Sequence, residues 1–420
     1  MRQIWRTHWL ICGLTAAVLF AIHPSSSAAE SVAKSARTAK EKIAQANWAA
    51  VRGATFIPSY ASNTYDIWRH YDHDVFDREL RLVEAVGYNS VRLWLNYSVY
   101  EEIGPQMVDR VEDAVRLCAK YHLRALIVLF DSCGVRPRKD ARWMTASEAY
   151  DHFMNSPRLS AEEKQHLQRL FGGYVKGYGK DTLVPVGSDS PIMAILWQSW
   201  QSTPGNDRLG PEWYPKLEAY VNALIGRLRN NPNVLQWELM NEPEFVSEGP
   251  FTANLLVKPE DLKLVETFLT HLHDYVKQRY PNELFGIGWA MLGNSRKYAH
   301  LVDVLNFHVY AEPDKLQQTI DQAVAISKEV GKPILITETL ANWDFGAPDF
   351  GKLASDEGQL AHYQKVLPVL LKSPIGWMAW GMVISRDFDP FTDIFYPDGH
   401  PRPAAVYLEK MLKGAEAPGR

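Results

Sequence analysis

Cysteine is scarce in this sequence: three residues in 420, at positions 12, 118 and 133. Cys12 falls in the leader, so the mature chain keeps two. Cys118 lies near the end of a predicted helix and Cys133 just after the next predicted strand. Those places are separated by most of a strand length, so two buried free thiols and no bridge are expected. Charge of one sign is also lacking. The net charge is −4, with no basic stretch of the kind that follows a nucleic-acid backbone. The N-terminal apolar run, Trp9–Ile22, is too short to favour a membrane span. There is no Gly-x-Ser-x-Gly elbow, no His-Glu-x-x-His and no Gly-x-x-x-x-Gly-Lys loop. After the first predicted strand the chain reads Phe56-Ile57-Pro58-Ser59, without the His-x-His pair of a metal-dependent hydrolase. No metal and no organic cofactor are expected.

The leader has the features of a secretory signal. Arg2 and Arg6 are its basic residues, Trp9–Ile22 its apolar run, and Ser27-Ala28-Ala29 its small residues before a cleavage point. Residues 1–29 are therefore expected to be removed from an exported, secreted or periplasmic protein; an uncleaved anchor is the alternative. Residues 30–45 form a polar arm or short leading helix, and residues 46–420 a single domain.

With 46% hydrophobic residues the chain can bury a large core. Apolar strands alternate with amphipathic helices. The strands are placed at Arg52–Pro58, Ser90–Leu95, Arg124–Phe130, Val234–Asn241, Phe285–Met291, Val304–Tyr310, Ile334–Glu338 and Gly376–Trp380. Eight strands with about eight helices predict an α/β fold, the (β/α)8 TIM barrel, whose active sites lie at the C-terminal strand ends. The segment from about 131 to 211 offers no further strand for a parallel sheet. It is read as a long insertion after the third strand, leaving from the catalytic face and carrying Trp197 and Trp200. Most of the 14 tryptophans belong to the core, and a few would line a cleft and stack on sugar rings.

Two strands end in carboxylates: Val234–Asn241 runs into Glu242, and Ile334–Glu338 ends on Glu338. On the fourth and seventh strands of a barrel they would face each other across its mouth. One would stay protonated to donate to a leaving oxygen, the other ionised to attack a sugar carbon. Glu238 shares the parity of Glu242 but lies four residues back, roughly 13 Å deeper at about 3.3 Å per residue. It is read as a barrel-interior carboxylate, paired with an arginine. Glu244, beyond Pro243, falls in a loop.

With these motifs the sequence resembles the barrel glycoside hydrolases with catalytic glutamates on strands four and seven, most closely glycoside hydrolase family 5, the cellulase family. The resemblance runs from Arg52 to Leu412. It rests on Asn241-Glu242-Pro243, Glu338, Arg92, the pair His308-x-Tyr310, and Trp380. It implies Glu242 as acid/base, Glu338 as nucleophile and Asn241 as the residue that binds the sugar 2-hydroxyl. It also implies Arg92, His308 and Tyr310 beside the carboxylates, and Trp380 as the platform under the cleaved sugar. Taken alone, Arg92 could merely pair with Glu238, and His308 could be a strand-end histidine. Family members commonly carry a His-Asn pair after the third strand, whereas this chain has Asp131-Ser132-Cys133-Gly134.

The expected activity is hydrolysis of a β-linked polysaccharide or oligosaccharide of mannan, glucan or xylan type. That glycan is the only expected partner: no nucleic acid, no membrane span after cleavage, and a monomer. The rivals are a transglycosylase built on the same site and a non-catalytic carbohydrate-binding barrel.

Overall fold

Runs such as Arg124-Ala-Leu-Ile-Val128 are short, apolar and β-branched, as strands buried on both faces must be. The computed structural model describes residues 38–61, 64–132, 142–155, 183–186, 203–205, 208–245, 259–341, 355–381 and 392–415, with isolated positions between 157 and 168. The expected signal, Cys133, Trp197 and Trp200 lie outside the described residues. Among the described residues ten strands follow in chain order: β1 (Arg52–Thr55), β2 (Ser90–Trp94), β3 (Arg124–Val128), β4 (Arg142–Thr145), β5 (Leu183–Val186), β6 (Val234–Asn241), β7 (Phe285–Trp289), β8 (Leu305–His308), β9 (Ile334–Thr339) and β10 (Gly376–Ala379). Eight of them close a parallel barrel in the order β1-β2-β3-β6-β7-β8-β9-β10, with β10 returning to β1. The fourth barrel strand is therefore β6 and the seventh is β9. This is the expected (β/α)8 architecture.

Helices return the chain between strands. His73–Ala85 starts on an N-cap, where Asp72 Oδ1 accepts from the amides of Asp74 and Val75 at 3.0 Å each. Pro313–Val330 stops at Gly331, whose φ of 71° suits glycine. Pro105–Lys120 packs Met107, Val111, Ala114, Val115 and Cys118 inward, and Cys118 is fully buried and free. Among the described residues no helix is long and apolar enough to cross a membrane.

Within the segment after β3, the antiparallel pair β4–β5 adds strands that the sequence reading did not place, with a helix over Ala146–Met154 between them in the chain. The segment's two feet meet. Asp131 N–H donates to the Thr203 carbonyl at 2.7 Å, and Thr203 N–H donates to the Asp131 carbonyl at 2.8 Å. Thr203 Oγ1 also accepts from the amide of Tyr97, just past β2, at 2.8 Å. Departure and return are thus both stitched to the C-terminal end of the barrel.

Candidate active site

Three parallel ladders lose their regular register near this end. Along β6–β7, Glu238 pairs with Gly286 but Asn241 pairs with Gly288, so β6 carries one extra residue. Along β8–β9, Phe307 pairs with Ile336 and His308 with Glu338, which puts the extra residue in β9. The third shift lies between β9 and β10. An extra residue reverses the alternation of side chains beyond it. Asn241 is thereby brought onto the same interior face as Glu238, against simple parity counting.

Arg92, third of the five residues of β2, is fully buried and serves three groups. Its Nη1 bonds Glu338, while its Nη2 bonds Glu238 and donates to Asn241 Oδ1 at 2.7 Å. The sequence left open whether Arg92 pairs with Glu238 alone; it holds both glutamates. Glu238 itself accepts from Asn306 Nδ2 at 2.9 Å, and Asn306 accepts from Gln236 at 3.0 Å. The arginine stacks over Trp94 at 4.3 Å, and Trp94 meets Trp380 edge-on at 5.7 Å between ring centroids. Space for this cluster depends on Gly288, where a Cβ would stand 2.6 Å from Glu238 Oε1 and 3.0 Å from Arg92 Nη2.

Glu242 follows β6 directly. Its φ of 40° is uncommon for a residue with a side chain, and its amide donates to the Gly288 carbonyl at 2.6 Å. His308 Nδ1 lies 2.8 Å from Glu242 Oε1 and 3.3 Å from Glu338 Oε2. One ligand atom from each of Glu242, His308 and Glu338 falls within 4.8 Å of the other two, so the trio could also hold a cation. Tyr310 donates its hydroxyl to Glu338 Oε2 at 2.6 Å, although 38% of the residue's surface is exposed.

Burial governs the titration of these groups. It pushes His308 down to about 4, leaving the ring neutral at ordinary pH. Burial also raises Glu338 above the usual carboxylate range, an effect that Arg92 and the Tyr310 hydroxyl only partly oppose. Burial and the carboxylates beside it keep Tyr310 protonated as a donor. For Arg92 burial works against the charge, but Glu238 and Glu338 outweigh it and hold the guanidinium protonated. Glu244, in the turn Pro243–Phe245, is pushed up to about 7, chiefly by burial. Its Oε1 accepts from the Met291 amide and from Asn294 Nδ2, each at 3.0 Å.

Of the residues singled out in the sequence, Arg92, Asn241, Glu242, His308, Tyr310 and Glu338 therefore form one bonded constellation at the strand ends. Trp380 lies just beyond β10 and joins it through Trp94. Trp94, Asp131 and Asn306 were missed. Trp94 stands two residues after Arg92 on the same strand face, a signal that was available. Asp131 follows an apolar strand as a terminal carboxylate, the same signal that marked Glu242 and Glu338.

No family model matches the chain. Endo-1,4-β-xylanase B of Cellvibrio japonicus (strain Ueda107) is 22% identical over 285 residues, which are 65% of this chain and 41% of that protein. The chain thus spans about two fifths of that relative's length. A GH5_18 protein from Streptomyces cattleya, solved with Manβ1-4GlcNAc, superimposes with a TM-score of 0.56 at 14% identity, covering 88% of this chain and 82% of that one. Exo-β-1,4-mannosidase Op5Man5 from Opitutaceae bacterium strain TAV5 gives 0.50 at 15% identity, covering 86% and 59%. With its eight strands closed in parallel and neighbours of this kind, the chain has the (β/α)8 fold found in glycoside hydrolase family 5, the family its motifs resemble.

Proposed function

We propose that the chain is a retaining β-glycoside hydrolase, with Glu242 as acid/base and Glu338 as nucleophile. The observation that carries this reading is the approach of the two carboxylates, with an oxygen of each inside the same 4.8 Å group as His308. Retention by double displacement needs carboxyl groups about 5–5.5 Å apart, whereas inversion leaves room for water at about 6.5–9.5 Å. In the first step a Glu338 oxygen bonds the anomeric carbon as the glycosidic C–O bond breaks, and Glu242 gives its proton to the departing oxygen. In the second, Glu242 takes a proton from water, whose oxygen displaces Glu338 from the sugar. Arg92 and Tyr310 steady the nucleophile's charge, Asn241 takes the 2-hydroxyl, and Trp380 supports the ring. The substrate is a β-linked glycan of mannan, glucan or xylan type, in keeping with the β-1,4 linkages in the names of the xylanase and mannosidase relatives.

A panel of aryl β-glycosides and soluble polysaccharides tests the reading. E338Q should abolish turnover, because no glycosyl-enzyme can form. E242A should spare aryl glycosides with acidic leaving groups far more than natural glycans. Equal loss of activity in both variants on every substrate would overturn the assignment. Sugar transfer to an added acceptor in place of water would mark a transglycosylase, and binding without turnover a lectin-like barrel.

The segment from 131 to about 211 is further proposed to narrow the cleft, with Trp197 and Trp200 as a wall that favours short chains or chain ends. Slow thinning of a polysaccharide with steady release of small sugars supports this. Rapid loss of viscosity with few new reducing ends would mean internal cleavage in an open groove.

A further inference from the structure

Asn241 has an amide that can sit either way round, and only one way lets its nitrogen face a ligand. Its Oδ1 accepts from Arg92 Nη2 at 2.7 Å, while its Nδ2 donates to Asp131 Oδ1 at 3.0 Å. Both residues are buried, Asp131 at 1% and Asn241 at 2% exposure. A guanidinium only donates, so the Asn241 oxygen must turn to Arg92, which leaves its nitrogen facing Asp131. One Nδ2 hydrogen remains, and with it Asn241 can offer a bound sugar a donor.

We infer that Asp131 is a positioning residue for substrate recognition, acting through Asn241. An asparagine at 131 would accept the Asn241 N–H only with its own oxygen turned that way, because its other end is a donor. A carboxylate accepts with either oxygen and has no wrong way round. The backbone of Asp131 is itself gripped from both sides. Thr203 exchanges two hydrogen bonds with it, while across β6 the Asn241 amide donates to the Phe130 carbonyl at 2.8 Å and the Ser132 amide to the Asn241 carbonyl at 3.1 Å. The returning foot of the long insertion thus reaches the sugar site through Thr203, Asp131 and Asn241. The inference rests on the glycosidase reading and on Asn241 meeting the 2-hydroxyl.

The test compares kcat/KM for an aryl β-glycoside and its 2-deoxy counterpart in the full chain. D131A should lose roughly tenfold or more on the 2-hydroxy substrate, the scale of a lost hydrogen bond to a charged group, with little change on the 2-deoxy one. N241A should show the same selectivity, and the double variant should lose little further. D131N, which keeps an acceptor but not its direction, should fall between, and it reads the same ratio should D131A fail to fold. Equal losses on both substrates, or none on either, would overturn the inference while leaving the glycosidase reading intact. Silence of the unaltered protein on both would remove that reading and this inference with it.

Discussion

Glu338 is 4% exposed and its pKa is raised by that burial, although Arg92 and Tyr310 work to keep it charged. A raised value means that the proposed nucleophile stays protonated, and idle, to a higher pH than a free glutamate does. Activity should therefore fall on acidification with an apparent pKa above about 4.3, the free value. A pH profile of kcat/KM checks this, and an acid limb at or below that value would contradict it. Y310F removes a hydrogen bond that favours the charged form, so it should move the acid limb upward. Glu244 bears on the opposite limb. Burial pushes it up to about 7, helped by the charge of nearby Glu242, and the repulsion is mutual once Glu244 is itself charged. E244Q deletes that charge, so the alkaline limb should move to lower pH; an unmoved limb would show that the two carboxyl groups do not communicate. The pair Glu242 and Glu338 was legible from two apolar strands ending in acid. Glu244, dismissed as a loop residue, was not, because its burial depends on Met291 and Asn294 from another connection.

Each barrel strand was recognisable from its apolar run, since a strand covered on both faces must be apolar throughout. The irregular ladders were not, because register is a relation between two strands and leaves no mark in one. Parity counting placed Asn241 opposite Glu238; the extra residue of β6 puts both on Arg92. The same β6–β7 pairing sets Gly288 against the cluster. G288A would drive a methyl to 2.6 Å from Glu238 Oε1 and displace the arginine that steadies Glu338. Overpacking of this kind costs about 1–3 kcal/mol of stability. Misplacing a group by about 1 Å can lower rates on the order of a hundredfold. Thermal unfolding and kcat/KM on an aryl glycoside check the two effects, and a variant of normal rate would show that the guanidinium has slack.

At the scale of the molecule, the helix Pro105–Lys120 closes over its barrel strands, and Cys118 lies on its inner side. Burial pushes that thiol up to about 12, so it should be inert to alkylation in the native protein. Labelling of the Cys118 peptide, followed by mass spectrometry across a urea series, should appear only as the barrel opens. Early labelling would mean that this helix opens on its own. The alternation of strands and helices made the barrel readable, because it repeats with local periodicity. The segment after β3 breaks the repeat, and its anchorage depends on Thr203 meeting Asp131 far along the chain, which no local pattern announces. That anchorage makes the segment a cassette. Joined feet let the connection change length without pulling on the strands, and each doubling of a flexible loop costs only about 0.6 kcal/mol. Related barrels could therefore trade one such cassette for another while the carboxylates stay in place, and, on the proposed activity, the range of glycans admitted could diversify faster than the chemistry performed on them.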